Sequence, residues 1–339
     1  MTSSNSGSEA ARPKGLSRSI SEASAWLARI GSLPILVALA IIVFAWGNPR
    51  FLSEDNIINV SQQGVYLLIV ALGQMLVLIA GGFDLSVGAN MALTSIISAK
   101  VMVALLAAFP HAPWLAVAAG FVATLGIGIA TGALNAFGVG VLRINPFIVT
   151  LATTSIFQGA TLIASEGTQV DGLPEPFIDT LGSGFVGNVP IVLLITIPIV
   201  LLIYLLVSWT RFGRNLYVTG SNPRAALIVG VSVTLTLAVA YTLCTILAAI
   251  AGYLLTARVS SGEPLLGGEF PLRSITAAVI GGCSLRGGQG TVGGVVLGVI
   301  FVTILANGMD MLRLGSSIQM VILGVVLMFA VVMDRYKTS

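Results

Sequence analysis

The sequence predicts an all-α polytopic membrane protein with about ten transmembrane helices. Hydrophobic residues make up 56% of the 339 positions and charged residues only 9%, and the mean hydropathy is +1.01. Soluble domains carry about 25% charged residues. The apolar residues are also grouped into long runs separated by short polar turns, which is the pattern of helices that cross a membrane.

Ten apolar runs are predicted to cross the membrane, and some of these helices are expected to be broken or re-entrant. The runs lie at residues 32–47, 62–80, 86–108, 114–136, 146–164, 190–209, 232–256, 273–285, 290–309 and 316–333. The eighth is too short for a straight crossing, since the hydrocarbon core requires about 20 helical residues. It is therefore expected to include residues of the preceding loop or to be broken inside the membrane.

The chain is predicted to comprise a polar tail, residues 1–30, and one transmembrane domain, residues 31–339. The tail lacks the layout of a cleaved signal peptide, so it is expected to be retained in the cytoplasm. Both termini are then cytoplasmic, because basic residues concentrate on that side. The inner residues are Arg12, Lys14, Arg18, Arg29, Arg143, Arg211, Arg214, Arg224, Arg286, Arg335 and Lys337, and the outer ones are Arg50, Arg258, Arg273 and Arg313.

Several functions are excluded by what the sequence lacks. No phosphate-binding loop of the form G-x-x-x-x-G-K-[ST] occurs, so the chain itself is not expected to bind ATP. His111 is the single histidine, which leaves neither a His-based metal site nor a His general base. The net charge of +3 reflects the basic residues that orient a membrane protein in the bilayer and does not indicate nucleic-acid binding. We therefore expect no enzyme activity, cofactor, metal or nucleic-acid partner for this chain.

A polar and basic loop, residues 210–230, lies between two long apolar runs. Asn222 and Pro223 are typical of a helix start, and Gly230 is expected to end this short helix. Force from another subunit could enter the membrane helices here, although an ordinary charged loop is the alternative. The residues singled out are Arg211, Arg214, Asn222, Pro223, Arg224, Ala225 and Ala226.

Two glycine-rich turns are similar to each other and suggest an internal repeat. Residues 81–88 read GGFDLSVG and residues 281–288 read GGCSLRGG. In each, the glycine pair is expected to end a helix, and Asp84 or Ser284 to cap the next one. Asp84 is also a functional candidate, because a carboxylate in an apolar stretch is costly. The residues singled out are Gly81, Gly82, Asp84, Ser86, Gly88, Gly281, Gly282, Ser284, Gly287 and Gly288.

Uncharged polar residues within the apolar runs are candidates for a solute path. They are Gln74, Asn90, Thr94, Asn135, Gln158 and Asn307. Their amides and hydroxyls can bond a neutral, polyhydroxylated solute, but they can equally bond neighbouring helices. Glycines spaced by four, such as Gly128 and Gly132 or the series Gly290, Gly294 and Gly298, predict helix faces that pack closely.

Several of these motifs together resemble the permease subunits of bacterial ribose-type monosaccharide ABC importers. The resemblance runs from about Phe51 to Lys337. It depends on GGFDLSVG at 81–88, TRFGRNLYVTGSNPRAA at 210–226, ARVSSGEP at 257–264, AAVIGGCSLRGGQGTVGG at 277–294 and the pair Asn307-Gly308.

The resemblance implies a permease subunit that carries a monosaccharide or a related small polyol across the bacterial inner membrane. It implies an identical or paralogous permease partner, a cytoplasmic ATPase that binds ATP and Mg²⁺, a periplasmic solute-binding protein and contact with membrane lipid. The 210–230 loop would be the coupling helix that docks on the ATPase. The alternative is a proton- or sodium-coupled secondary transporter, for which Asp84 and Asp310 would be the candidate carboxylates.

The chain departs from the usual pattern of such permeases in three places. Arg224 and Leu227 flank the Ala-Ala pair where relatives usually have Glu and Arg, and Pro271 and Arg273 replace a common acidic pair. The last span has no Lys within Met320–Val325. These changes alter the coupling electrostatics and are compatible with a heterodimer.

Overall fold

The computed structural model describes residues 33–337 and is almost entirely helical; the predicted tail, residues 1–30, lies outside this range. The helices are α1 (Leu33–Gly47), α2 (Glu54–Ile79), α3 (Val87–Ala108), α4 (Pro113–Ala136), α5 (Pro146–Ser165), α6 (Ile191–Trp209), α7 (Arg211–Ser221), α8 (Pro223–Ile228), α9 (Val233–Val259), α10 (Phe270–Ile280), α11 (Val292–Met311) and α12 (Ser316–Lys337). A small hairpin, β1 (Phe185–Val186) and β2 (Val189–Pro190), precedes α6.

Seven of the described helices are long and apolar enough to cross a membrane, namely α2 to α6, α9 and α11. The helix α1, the helix α10 and an apolar stretch of α12 are shorter. Each predicted apolar run contains one of these helices, so the all-α polytopic class is confirmed. Ten complete crossings are not confirmed, because within the described residues α1, α10 and the apolar stretch of α12 do not meet the length and hydropathy of a full crossing.

The helices α2 and α9 form the centre of the bundle, and α9 also packs against α3 and α4. Small residues bring these backbones together, as predicted from the spacing of Gly128 and Gly132 in α4. A Cβ at Gly128 would lie 2.8 Å from the Cα of Ile246 in α9, and a Cβ at Gly73 would lie 3.0 Å from the Cα of Cys244. Close approach of this kind replaces the hydrophobic driving force that is absent between helices in lipid.

The eighth predicted span is a short helix preceded by a non-helical segment. The helix α10 has 11 residues, about 16 Å of rise, which is roughly half of the hydrocarbon core. Residues 260–269 before it pack along α3: the Glu263 N–H donates to Ser95 Oγ (3.0 Å), and Gly267 contacts Met91. That the preceding loop completes this span, or that the span is broken inside the membrane, stays a prediction.

One of the predicted glycine faces is partly wrong. Gly294 and Gly298 lie on α11 and face the backbone of α10 at Gly281 and Ala277, as the spacing predicts. Gly290 lies before the helix, which begins at Val292 with Thr291 as its cap. The Thr291 hydroxyl accepts the Gly294 N–H (3.1 Å), so the helix starts two residues later than the glycine spacing indicates.

Candidate functional site: a backbone junction beneath an exposed helix

The loop at 210–230 contains two helices rather than the single one predicted from the sequence. The helix α7 begins at Arg211 and is capped by Thr210, whose hydroxyl accepts the Gly213 N–H (3.3 Å). Its buried residues Leu216, Thr219 and Gly220 recur at helical spacing, while Arg211 and Arg214 are exposed. This amphipathic spacing and the Thr cap were the available signals, but the glycines and charged residues suggested a loop.

The second helix, α8, forms where the sequence predicts it. The Asn222 side chain accepts the N–H groups of Arg224 (3.0 Å) and Ala225 (3.1 Å), and Pro223 occupies the first turn. Gly230, with a φ of +79°, ends the helix. Ala226 is buried, whereas Arg224 and Ala225 are exposed.

The outer face of α8 is both basic and apolar. Leu227, Ile228 and Val229 are exposed beside Arg224, and no acidic residue occurs from Thr210 to Gly230. We call Arg224 to Val229 the α8 patch. Exposed apolar side chains next to charged ones are typical of protein interaction sites.

Directly beneath these helices, three segments meet through their backbones. The Gly288 N–H donates to the carbonyl of Ile79, the last residue of α2 (2.9 Å). Gly220 of α7 lies against the same carbonyl, so that a Cβ there would collide with its oxygen. A Cβ at Gly287 would lie 2.8 Å from the Cα of Gly81. We call this meeting of α7, the 81–88 turn and the 281–288 turn the junction.

Four glycines of the two junction turns adopt backbone conformations that other residues rarely reach, and two of them, Gly282 and Gly288, have φ angles of +93° and +74°. The φ angles of Gly81 and Gly287 are +88° and +87°, in the left-handed region that favours glycine. No side chain separates the three segments at Gly81, Gly220 and Gly287. The helix α7 is therefore in direct backbone contact with the end of α2.

The Tyr217 side chain also links α7 to the segment that follows the 281–288 turn. The Tyr217 hydroxyl donates to the Gly290 carbonyl across 2.7 Å. Burial, and to a lesser extent the nearby Cys283, raise the pKa of the Tyr217 phenol above its ordinary value. The phenol therefore keeps its proton and remains a donor.

The capping roles predicted for Asp84 and Ser284 are wrong. Asp84 accepts the Ser86 N–H (2.8 Å) and Ser284 accepts the Arg286 N–H (3.2 Å), each two residues further on. The helices that follow begin only at Val87 and Val292. Each side chain therefore closes its own turn, as short polar side chains commonly do. The glycine pairs do end α2 and α10 as predicted, at Gly81–Gly82 and Gly281–Gly282.

Asp84 is fully buried and holds several helices together. Its carboxylate accepts hydrogen bonds from the Ser86 hydroxyl (2.6 Å) and from the Asn135 amide of α4 (3.0 Å). Thr153 of α5 donates to the other end of the Asn135 amide (2.7 Å). The Gln74 side-chain oxygen accepts the Asp84 N–H (3.0 Å), and the Gln74 side-chain nitrogen donates to the Asp84 carbonyl oxygen (3.2 Å). Hydrogen bonds of this kind offset the cost of burying a carboxylate.

The six candidate path residues do not form one site in this conformation. Gln74 and Asn135 meet at Asp84, Asn90 bonds the Thr245 carbonyl of α9 (2.7 Å), and Asn307 is paired with Asn56 at the other end of α2. The hydroxyl of Thr94 is buried and has no partner among the described residues. Gln158 is half-buried and donates to the Pro264 carbonyl (2.9 Å). Their role in a solute path stays a prediction.

The fold and the junction define a class of protein, a multi-pass membrane protein in which the helix pair α7 and α8 contacts the end of a membrane-spanning helix. The family model described as the branched-chain amino acid transport system / permease component matches residues 56–331. Similar proteins include the ribose import permease protein RbsC of Bacillus subtilis, 35% identical over 89% of this chain and 91% of that protein.

Two further relatives are of the same kind. The D-allose transport system permease protein AlsC of Escherichia coli is 32% identical over 88% of this chain and 90% of its own length. A probable ABC transporter permease protein of Sinorhizobium fredii, y4mJ, is 34% identical over 91% of this chain and 90% of its own length. No solved structure matches the chain.

The chain belongs to this family of ABC import permeases, and the resemblance found in the sequence is confirmed. As a permease component it is the translocating subunit and not an enzyme, as the sequence predicts. The secondary-transporter alternative is therefore set aside.

Proposed function

We propose that this chain is the permease subunit of an ATP-driven importer that carries a monosaccharide or a related small polyol into the cytoplasm. The sugar class is supported by its relatives, whose names are those of ribose and D-allose permeases. The observation that carries the mechanism is the junction. The α8 patch is exposed, and the α7 helix next to it contacts the end of α2 through backbone atoms.

In this proposal the α8 patch docks on a cytoplasmic ATPase, which binds ATP and Mg²⁺ in place of this chain. Both termini are cytoplasmic, and the junction lies at the cytoplasmic side of the bacterial inner membrane. The solute arrives from a periplasmic solute-binding protein, and a second permease, identical or paralogous, completes the path. Closure of the ATPase pair would move α7 and with it the end of α2, so that access alternates between two states.

The test is the substitution Ala225→Glu in the α8 patch. Ala225 is the third helical position after the Asn222 cap, where Glu favours helix formation. The helix is therefore expected to form, but an unpaired carboxylate would be buried in the docking surface, at a cost of several kcal/mol. We expect co-purification of the ATPase to be lost and uptake of D-ribose and D-allose to fall at least tenfold.

The control is Ala225→Ser, which keeps the side chain small and uncharged and should retain association and uptake. Membrane levels of both variants are measured in parallel. Normal uptake by the Glu variant at a normal membrane level would contradict the proposed coupling.

A further inference from the structure

An ion pair lies where the short helix α10 begins. Arg273 and Glu269, one helical turn apart, form a salt bridge in which the Arg273 side chain is 29% exposed and that of Glu269 is 55% exposed. The neighbouring side chains Leu265 and Leu272 are also exposed. This face therefore combines a guanidinium, a carboxylate and apolar surface.

The depth of this ion pair follows from α9, which is 27 residues long, or about 40 Å. Gly252 and Thr256 of α9 lie beside Met91 and Ser95 of α3, where the Thr256 hydroxyl donates to Ser95 Oγ (2.7 Å). Because the two helices keep this register, Gly88 of α3 lies at the level of residue 249 of α9.

The segment that carries the ion pair packs against that position. A Cβ at Gly88 would lie 3.0 Å from Pro271 Cδ, and Pro271 lies between Glu269 and Arg273 in the sequence. Residue 249 is three residues, about 4.5 Å, from residue 246 at the middle of α9. The hydrocarbon core extends about 15 Å on each side of its midplane. The ion pair therefore lies well inside the membrane.

An exposed ion pair at this depth is incompatible with a lipid-facing position. A charged side chain near the middle of a span costs about 2.5 to 3.5 kcal/mol on insertion scales, and such groups face water-filled cavities or other protein. Within this chain, Gln158 of α5 reaches the same segment by donating to the Pro264 carbonyl (2.9 Å). A polar side chain predicted for the solute path thus contacts the segment that presents the ion pair.

We propose that the face formed by Leu265, Glu269, Leu272 and Arg273 lines a water-filled solute path at the middle of the membrane. The guanidinium supplies hydrogen-bond donors and the carboxylate supplies acceptors, which together suit the hydroxyl groups of a neutral polyol. This inference rests on the proposed import function for the identity of the solute, but not for the presence of water at this face.

The test for water uses cysteine labelling of the full chain, produced together with its transport partners. Leu272→Cys and Leu265→Cys are treated with a charged, membrane-impermeant methanethiosulfonate in right-side-out and in inverted membrane vesicles. The control is Leu202→Cys on α6, since Leu202 is 64% exposed and Leu272 is 61% exposed. Leu202 lies near the middle of α6, a helix whose span is mostly unburied. The unmodified chain, whose two cysteines are buried, sets the background.

We expect the Leu272→Cys or Leu265→Cys variant to react at least tenfold faster than the Leu202→Cys variant from at least one side, because the reactive thiolate forms only where water is present. Rates at both positions equal to that of the control, from both sides, would overturn the inference. This readout does not depend on which solute is carried, so it can fail while sugar import holds.

A second measurement concerns solute contact. D-Ribose and D-allose serve as probes. We expect Arg273→Gln and Glu269→Gln each to raise the half-saturating concentration for uptake about tenfold, because each removes one hydrogen bond between the solute and a charged group. Labelling at this face without import of either sugar would leave the path in place and refute the proposed solute class. Unchanged half-saturation in both variants would overturn the role in solute contact.

Discussion

The two ends of α2 are held in different ways. At the junction, the Ile79 carbonyl and Gly81 contact Gly220 of α7 and Gly287 and Gly288 of the 281–288 turn directly through backbone atoms. At the other end, Asn56 of α2 and Asn307 of α11 exchange two amide hydrogen bonds, each of 3.0 Å. An apolar cavity of about 500 Å³ lies beside this amide pair, between α1, α2 and α11.

This difference indicates which end of α2 can receive a movement and which can yield to it. Close-packed backbones transmit displacement because nothing between them can rotate out of the way. Side-chain amides can exchange partners, and a cavity leaves room for a helix to tilt. In the proposed importer, force therefore enters α2 at the junction and is accommodated at the Asn56–Asn307 end.

The largest expected effect is that of Gly220→Ala at the junction. The new methyl would collide with the Ile79 carbonyl oxygen and approach the Gly288 N–H to 2.7 Å. Because backbone atoms cannot move aside as a flexible side chain can, we expect a loss of about 3 kcal/mol or more. The membrane level and uptake should fall severalfold, measured by immunoblot and sugar transport.

The matched control for that substitution is Gly159→Ala in α5. A Cβ at Gly159 has no atom within 4 Å, and Ala favours a helix over Gly by about 1 kcal/mol. Its level and uptake should remain normal. Equal behaviour of the two variants would show that the junction is not tightly packed.

An intermediate effect is expected at the other end of α2, for Asn307→Leu. The substitution removes both hydrogen bonds between the two amides and leaves Asn56 only its donation to the Phe51 carbonyl (2.8 Å), at a cost of about 1 to 3 kcal/mol. The double variant Asn56→Leu/Asn307→Leu should recover part of this loss, because no side-chain amide is then left unsatisfied and only the Phe51 carbonyl loses its donor. Thermal unfolding of the purified complex in detergent measures both. Asn56→Leu alone completes the comparison. If the loss of unfolding temperature in the double variant equals the sum of the losses in the two single variants, the amides are not coupled.

The smallest effect is expected for Gly64→Ala, which places a methyl on α2 at the cavity. The new Cβ would lie 3.5 Å from the Thr303 hydroxyl oxygen, an ordinary contact, and a helical Gly→Ala change stabilises by about 0.5 to 1 kcal/mol. We expect a slightly higher unfolding temperature than for the wild-type protein. A decrease would show that this end of α2 is as tightly packed as the junction.

The sequence was sufficient to predict most of the bundle. Hydropathy located a helix in every predicted apolar run, because a membrane-crossing helix must be long and apolar whatever its neighbours are. The Asn222 cap, the Gly230 stop and the helix-ending glycine pairs were predicted because such signals act over a few residues.

Features that depend on distant contacts were not predictable in the same way. The helix α7 is stable because Leu216 and Gly220 pack on the rest of the bundle, which a glycine-rich polar stretch does not reveal. Similarly, the spacing of Gly81, Gly220 and Gly287 gives no sign that they meet. Asp84 accepts hydrogen bonds from Ser86 in its own turn and from Asn135 of α4 instead of capping α3. These partners depend on the tertiary fold, which local sequence does not reveal.

The non-helical segment before α10 constrains how the protein is made. Within residues 260–269, Gly262 exchanges backbone hydrogen bonds with Val170, Glu263 bonds Ser95 of α3, and Pro264 bonds Gln158 of α5. Lipid provides no substitutes for these partners. We therefore expect this segment to reach its final position during biosynthesis only after α3 and α5 are assembled.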